Sequence, residues 1–313
     1  MSYTDSVISS NGADLVVRHW PAPDGVKTKA KIVYVHGFSE HNDLYSAWWP
    51  RIVSHGYDVT MFDQRGFGKT ASSVKDFGIT SDENQFKDLD RVISTVLDGS
   101  DVPMILWGHS MGGGITLNYM VRGTMREKFS AYMANSPYVL GNPQGPNGQF
   151  LVKLIPLAML VVPGMRQQVE IDPRICTNDP AKVEQYKRDP LRHNIGTVRL
   201  FSDMKKRGKA LVDPDYVKRS IDRPVLVSQG DNDLLCDVKG AQEYFRLLNN
   251  SDKTLEIYPG MPHELQQLKE PEVTDHLNKV LAWLDARFDK ADQSIKPDSS
   301  TAKPASKLDK VGA

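Results

Sequence analysis

The sequence predicts an α/β protein with a mostly parallel central sheet and helices on both faces. Three observations support this prediction: short apolar runs typical of buried strands, amphipathic segments between them, and a glycine-rich junction where one run meets a helix. The strand and helix patterns alternate from Lys31 to Asn135. A chain of 313 residues is long enough for one large core with an insertion.

The predicted strands are short and apolar, as expected for strands that are covered on both faces of a sheet. They comprise residues 14–20, 31–36, 57–62, the run from 104, 129–135, 223–228 and 254–258. Helical spacing of apolar residues predicts helices over 45–55, 81–97, the segment after Ser110, about 241–248 and about 272–288. Ser81 is a typical helix-capping residue, and Gly56 is typical of a helix end.

The alternation breaks after residue 136. Residues 137–220 are rich in Pro and Gly and contain helical pieces but no strong strand. We expect them to form a helical cap over the strand ends, inserted into a core made of residues 1–136 and 221–289. Residues 290–313 have almost nothing to bury, and we expect a disordered tail there.

Composition excludes some function classes. The 39 Lys and Arg residues balance the 39 Asp and Glu residues, so no overall positive field favours nucleic acid. Cys176 and Cys236 form neither a C-x-x-C pair nor a disulfide framework, and residues 1–6 lack the basic and apolar pattern of a signal peptide. We therefore expect a reducing, cytoplasmic location.

The glycine-rich junction is the pentapeptide from Gly108 to Gly112, with Ser110 at its centre. An apolar strand precedes it and a helix follows, which is the context that a G-x-S-x-G nucleophile elbow requires. Cβ atoms at Gly108 and Gly112 would collide as strand and helix approach each other. The alternative is a glycine-rich corner without chemistry.

A second loop can complete the chemistry of the elbow. His36 and Gly37 follow an early strand, where this type of fold places a backbone donor that faces the nucleophile. We predict that the N–H groups of Phe38 and Met111 bind the negative charge that develops on a reacting carbonyl oxygen. The alternative is that the His-Gly pair only turns the chain.

A serine nucleophile needs a base and an acid that orients the base. His263 lies directly after the last predicted strand and is the predicted base. The acid follows the preceding strand, where Asp233 is preferred and Asp231 and Asp237 remain alternatives. The order Ser, Asp, His is that of α/β-hydrolases, so the predicted fold is an α/β-hydrolase with a helical cap before the late strands.

The most apolar stretch of the chain, residues 150–162, lies in the predicted cap and is too short to span a bilayer. We expect it to line an acyl entrance and to contact lipid surfaces. An ordinary buried core helix is the alternative. The predicted substrate contacts in this stretch are Leu151, Leu154, Leu157 and Leu160.

Five segments together resemble the monoacylglycerol lipases of the serine hydrolase group, and the chain is similar to their fungal members from about residue 10 to 288. These segments are residues 36–41, 62–68, 107–114, 230–233 and 252–263. The resemblance implies that Asp233 is the acid and that Glu40 contributes to the pocket for the glycerol end of the substrate. This chain has Leu44 where animal members carry Arg, and Phe38 where they carry Ala.

The resemblance implies hydrolysis of monoacylglycerols to fatty acid and glycerol through an acyl-enzyme, without metal or organic cofactor. It also implies peripheral association with lipid droplets or membranes; the oligomeric state stays open. A lysophospholipase or broad carboxylesterase with the same triad is one alternative. A non-catalytic lipid-binding protein on a hydrolase scaffold is another.

Overall fold

A computed structural model describes residues 2–145, 159 and 161–289. The strands within these ranges are β1 Thr4–Ser10, β2 Ala13–Trp20, β3 Ala30–Val35, β4 Tyr57–Phe62, β5 Met104–His109, β6 Ala131–Asn135, β7 Arg166–Gln168, β8 Ile195–Thr197, β9 Val225–Gly230 and β10 Lys253–Tyr258. The α-helices within them are α1 Trp49–Val53, α2 Asp82–Val96, α3 Met111–Arg122, α4 Pro180–Arg188, α5 Val198–Ala210, α6 Pro214–Val217, α7 Val238–Leu247 and α8 Glu272–Phe288.

Eight of these strands form one sheet in the order β1-β2-β4-β3-β5-β6-β9-β10. The six strands from β4 to β10 in this order pair in parallel, and β2 pairs antiparallel with both β1 and β4. The parallel strands end at one edge of the sheet, where open α/β sheets place their sites. The predicted mostly parallel sheet is therefore confirmed.

Apolar side chains of the helices cover the sheet on both faces. Trp49 of α1 and Leu284 of α8 pack in one buried cluster, while Leu89 of α2 and Ile115 of α3 pack in the other. Ser81 accepts a hydrogen bond from the Asn84 backbone N–H and so caps α2, as predicted. The helices predicted at 81–97, 241–248 and 272–288 are confirmed with small changes of their limits.

Two elements near the N-terminus differ from the prediction. Strand β1 was not predicted, because it is a mostly exposed edge strand whose polar side chains give no apolar signal. The single helix predicted over 45–55 is wrong: a 3₁₀ turn at Asn42–Tyr45 precedes the short α1. Pro50 lies in the first turn of α1, and proline has no N–H to continue a helix from Tyr45. Gly56, at φ 88°, ends the segment as predicted.

The cap interval contains α4, α5 and α6 between the ends of β6 and β9. It also contains β7 and β8, which pair antiparallel over only three residues each, too few for a recognisable strand pattern. Leu151, Leu154, Leu157, Leu160 and the predicted tail 290–313 lie outside the described residues. No helix of the described ranges has the length and apolarity that crossing a membrane requires.

Candidate active site

Ser110 lies at the sharp turn between β5 and α3. Its backbone has φ 53° and ψ −118°, a conformation that serine rarely adopts and that sites of chemistry often retain. A Cβ atom at Gly108 would lie 2.3 Å from the carbonyl oxygen of Gly112. One at Gly112 would lie 2.1 Å from the carbonyl oxygen of Val35, at the end of β3. Both positions therefore require glycine for steric reasons, as the sequence predicted. At Gly112, however, the atom that a side chain would meet belongs to β3 rather than to β5.

The side chains of His263 and Asp233 are buried and hydrogen-bonded to each other. Nδ1 of His263 donates to Oδ2 of Asp233 over 2.6 Å, which leaves Nε2 to accept a proton. The amide of Gln229 also donates to Oδ2, over 2.7 Å. The backbone N–H groups of Leu235 and Cys236 donate to Oδ1 over 2.8 and 2.9 Å. These four donors fix the orientation of the carboxylate.

The two alternative aspartates have other partners. Asp231 is exposed and accepts a hydrogen bond from the backbone N–H of Gly260 over 2.6 Å, which fixes a loop. Asp237 accepts from the backbone N–H of Lys239 over 3.0 Å and caps α7. Of the three candidates, Asp233 is the one that contacts the imidazole of His263.

Several contacts place the His263 loop beside the elbow. Oγ of Ser136 donates to the carbonyl oxygen of His263 over 2.6 Å. The ring of His109, next to Ser110 in the chain, lies 4.8 Å from the ring of His263 between centroids. Ser110 and His263 line the same cavity, whose volume is about 1000 Å³. The structure therefore brings the predicted nucleophile, base and acid together at the edge where the parallel strands end.

The predicted oxyanion donors lie on the two segments next to Ser110. A Cβ atom at Gly37 would lie 3.0 Å from Cβ of Ser110, so the loop that carries Phe38 is in contact with the elbow. Met111 is the first residue of α3, and an N–H in the first turn of a helix has no acceptor within that helix. Both N–H groups therefore lie on backbone segments next to the nucleophile.

Glu40 lines the cavity, and its carboxylate holds the loop in place. Its Oε2 atom accepts from the backbone N–H of Gly37 over 2.5 Å and from the Tyr45 hydroxyl over 2.8 Å. Its Oε1 atom lies 3.0 Å from Nδ1 of His109. Burial opposes both charges, but their attraction lowers the pKa of the Glu40 carboxyl and raises the pKa of the His109 imidazole.

The cavity wall divides into two chemically different parts. The apolar part includes Phe38 and Phe201, whose rings lie 5.4 Å apart between centroids. Its other apolar members include Val198, Met204, Val212, Leu234 and Leu235. The polar part close to the His263 loop includes Glu40, His109, Arg192 and Glu264; other polar side chains, among them Asn142, Gln167, Lys205 and Lys209, also line the cavity. A ligand with one apolar and one polar end fits this division.

Comparisons with known proteins agree with this geometry. Residues 26–272 match a family model described as serine aminopeptidase, S33. Monoglyceride lipase of Mus musculus is 30% identical over 93% of this chain and 93% of its own length. Monoglyceride lipase of Saccharomyces cerevisiae is 28% identical over 88% of this chain and 91% of its own length. The chain belongs to the monoglyceride lipase family of serine hydrolases.

A solved structure supports the same membership. A soluble variant of monoglyceride lipase from Saccharomyces cerevisiae, bound to a substrate analogue, superposes with a TM-score of 0.86 at 27% identity. The match covers 90% of this chain and 95% of that one. The α/β-hydrolase fold and the character of a serine ester hydrolase follow for this member of the monoglyceride lipase family.

Sequence reasoning missed several residues of this monoglyceride lipase family site. Gln229 donates a hydrogen bond to Asp233, and Ser136 donates one to the carbonyl oxygen of His263. Polar residues at strand ends are common, so the sequence gives no signal that distinguishes these two. Arg192 belongs to the cap and reaches the cavity only through tertiary packing. Glu264 could have been noticed, because it is adjacent to the predicted base.

Cys236, three residues after Asp233 in the chain, lies beside Asp233 and His263. One potential metal-ligand atom from each of Asp233, Cys236 and His263 lies within 4.8 Å of the other two. Two of these residues already share a hydrogen bond, so the arrangement fits a triad with a neighbouring thiol. Burial, together with the negative charge of Asp233, raises the pKa of the Cys236 thiol well above its usual value.

Proposed function

We propose that the protein hydrolyses monoacylglycerols to a fatty acid and glycerol, with Ser110, His263 and Asp233 as its catalytic triad. The observation that carries the proposal is the 2.6 Å hydrogen bond between His263 and Asp233 beside Ser110, in a cavity with one apolar and one polar end. Ligand cavities commonly measure about 300–1,000 Å³, so this cavity is large enough for an acyl chain and a head group.

The reaction proceeds in two steps. Oγ of Ser110 attacks the ester carbonyl while Nε2 of His263 takes the hydroxyl proton. The N–H groups of Phe38 and Met111 stabilise the oxyanion, each by about 3–4 kcal/mol by analogy with other enzymes. When the C–O bond to glycerol breaks, His263 returns the proton to the departing oxygen.

Deacylation reverses the roles of the same groups. His263 takes a proton from water, the resulting hydroxide attacks the acyl carbonyl, and the Ser110 oxygen leaves with that proton. The fatty acid is the second product. Asp233 keeps its charge throughout and stabilises the imidazolium that forms in each step.

A substrate panel tests the proposal. Values of kcat/KM for monoacylglycerols of several chain lengths are compared with those for diacylglycerols, triacylglycerols and lysophospholipids carrying the same acyl group. We expect the highest values for monoacylglycerols and an increase with chain length, because each buried CH₂ contributes about 0.8 kcal/mol. Faster hydrolysis of lysophospholipids would contradict the proposed substrate, and absence of ester hydrolysis would favour a binding protein.

We also propose that the protein is cytoplasmic and works at the surface of lipid droplets or membranes. Two exposed apolar residues of the cap support it: Val161 is 75% exposed, and Met165 is 45% exposed and lines the cavity. The predicted contacts at Leu157 and Leu160 stay a prediction. We expect Val161→Glu to weaken binding to neutral-lipid emulsions without changing hydrolysis of a short soluble ester; unchanged emulsion binding would contradict surface contact by this residue.

A further inference from the structure

Arg192 and Glu264 form a buried ion pair in the polar part of the cavity. The Arg192 side chain is 7% exposed and the Glu264 side chain 3% exposed. Nη1 and Nη2 of Arg192 both donate to Oε1 of Glu264 over 3.2 Å. Because Arg192 belongs to the cap interval and Glu264 follows the base His263, the pair joins the cap to the catalytic loop.

The pair is held in place by its surroundings. The guanidinium carbon of Arg192 lies 3.8 Å from the centre of the Tyr186 ring, and the Tyr186 hydroxyl donates to Oε2 of Glu264. The backbone N–H of Glu264 donates to the carbonyl oxygen of Cys176 over 2.7 Å. Such support fixes the direction of both charged groups, as a site for a small polar ligand requires.

Both members retain hydrogen-bonding capacity. A guanidinium has five N–H donors. Three N–H donors of Arg192 contact described residues: two donate to Glu264 and one to the sulfur of Cys176. A carboxylate can accept about four hydrogen bonds, and Glu264 accepts three, two from Arg192 and one from Tyr186. The pair therefore offers donors and an acceptor side by side.

The positions of Glu40 and Leu44, near the catalytic loop, have less to offer a ligand. Both carboxylate oxygens of Glu40 are engaged by the loop and by His109. Leu44 has no polar atoms in its side chain, is 3% exposed and packs in the core. Arg192 and Glu264 therefore offer a hydroxylated head group more free donors and acceptors than Glu40 or Leu44 does.

We propose that Arg192 and Glu264 form a subsite that binds the free hydroxyl groups of the leaving alcohol and thereby selects glycerol esters. A hydroxyl group both donates and accepts, so one can donate to Glu264 while its oxygen, or that of its neighbour, accepts from Arg192. The inference rests on the proposed function. It assigns head-group selectivity to a cap residue and to the residue after the base.

The test compares two substrates that differ only in these hydroxyl groups. One is a 1-monoacylglycerol and the other is the n-propyl ester of the same fatty acid. The main variant is the double substitution Arg192→Met with Glu264→Gln, because removal of one partner alone would leave an unpaired buried charge. Arg188→Met is the matched control, since Arg188 belongs to the same part of the cap and its side chain is 82% exposed.

We expect the wild type to prefer the glycerol ester and the double variant to lose that preference by about tenfold or more in the ratio of kcat/KM values. Arg188→Met should keep the wild-type ratio. Labelling of Ser110 by a fluorophosphonate, which carries no glycerol, should proceed at a similar rate in all three proteins. A parallel fall for both substrates and for labelling would show a structural role and overturn the subsite.

A second variant covers the case in which the double variant does not fold. Arg192→Lys keeps the charge but loses the planar set of donors, so we expect a smaller loss of the glycerol preference in folded protein. An unchanged ratio in folded Arg192→Lys and folded Glu264→Gln would overturn the subsite.

The subsite and the proposed function fail on different measurements. A wild type that favours lysophospholipids contradicts monoacylglycerol as the substrate. A wild type that favours the glycerol ester, together with variants that keep this preference, contradicts the subsite alone. Equal rates of the wild type on glycerol and propyl esters would also overturn the subsite, because no hydroxyl-dependent preference would exist.

Discussion

The carboxylate of Asp233 accepts a hydrogen bond from Nδ1 of His263 over 2.6 Å, and both side chains are almost fully excluded from solvent. The carboxylate therefore selects the imidazole tautomer that carries its proton on Nδ1 and presents Nε2 as the base. Cys236, Ser136 and Gln229 surround the pair. The expected effects of substitution follow from this geometry.

Ser110→Ala and His263→Ala should each reduce kcat for ester hydrolysis by at least about 10³-fold, because triad members act as a unit. Ser110→Ala removes a single hydroxyl, so its melting temperature should stay close to that of the wild type. His263→Ala also removes the buried hydrogen bond to Asp233, so circular dichroism is used to establish that this variant is folded. Activity of either folded variant within tenfold of the wild type would show that another group performs the reaction.

Asp233→Asn should reduce kcat by about 10⁴-fold, because an amide that donates to Nδ1 favours the wrong tautomer of His263. Asp231→Asn changes an exposed loop contact and should cost little, within about 0.5 kcal/mol of stability and about twofold in rate. Steady-state kinetics of both variants on one ester are sufficient. A reversed order of the two effects would identify Asp231 as the acid.

Alkylation of Cys236 should inhibit the enzyme, because an adduct beside Asp233 and His263 would displace the imidazole. Since burial raises the pKa of this thiol, its thiolate is scarce at neutral pH and inhibition by a small maleimide should be slow and accelerate with rising pH. Cys236→Ala should remain active and become resistant. Equal inhibition of wild type and Cys236→Ala would move the sensitivity to Cys176, the other buried free cysteine.

Acid should destabilise the fold through His276. This buried residue accepts a hydrogen bond from the amide of Asn135 and stacks on Trp48, and burial lowers its pKa to about 3. An unfolded histidine has a pKa of about 6.5, so the stabilising contribution is complete above this pH and is lost as pH falls toward 3.

The free energy of unfolding of the wild type should therefore fall by about 2 kcal/mol through His276 between pH 7 and 5. His276→Gln should not show this contribution to the fall. Urea denaturation of both proteins at the two pH values measures the difference. Parallel loss of stability in the two proteins would show that His276 does not control this part of the acid response.

Much of the site was predictable because its chemistry lies at strand ends. Ser110 and Asp233 follow the buried strands β5 and β9, and His263 follows the half-buried edge strand β10, so their convergence follows from a parallel sheet. Arg192 and Glu264 were not predictable in the same way, because the packing of the cap against the catalytic loop brings them together. A tertiary contact between distant segments has no periodic signal in one sequence.

The same physical distinction applies to the fold. Buried strands such as β4 were predicted to the residue, since an apolar run bounded by Gly56 and Asp63 has clear limits. The edge strand β1 was missed because hydrogen bonds to β2, rather than burial, determine its conformation. The interrupted helix near Pro50 shows that backbone restriction outweighs apolar spacing.

Identification of the residue that reacts with a fluorophosphonate tests the central claim most directly. Intact-mass measurement and peptide mass spectrometry after treatment of the wild type should show one adduct, on Ser110, with hydrolysis of monoacylglycerol falling in proportion to labelling. Ser110→Ala and His263→Ala should remain unlabelled under the same conditions. A folded wild type that gains no adduct, or an adduct on another residue that accompanies loss of activity, would contradict Ser110 as the nucleophile.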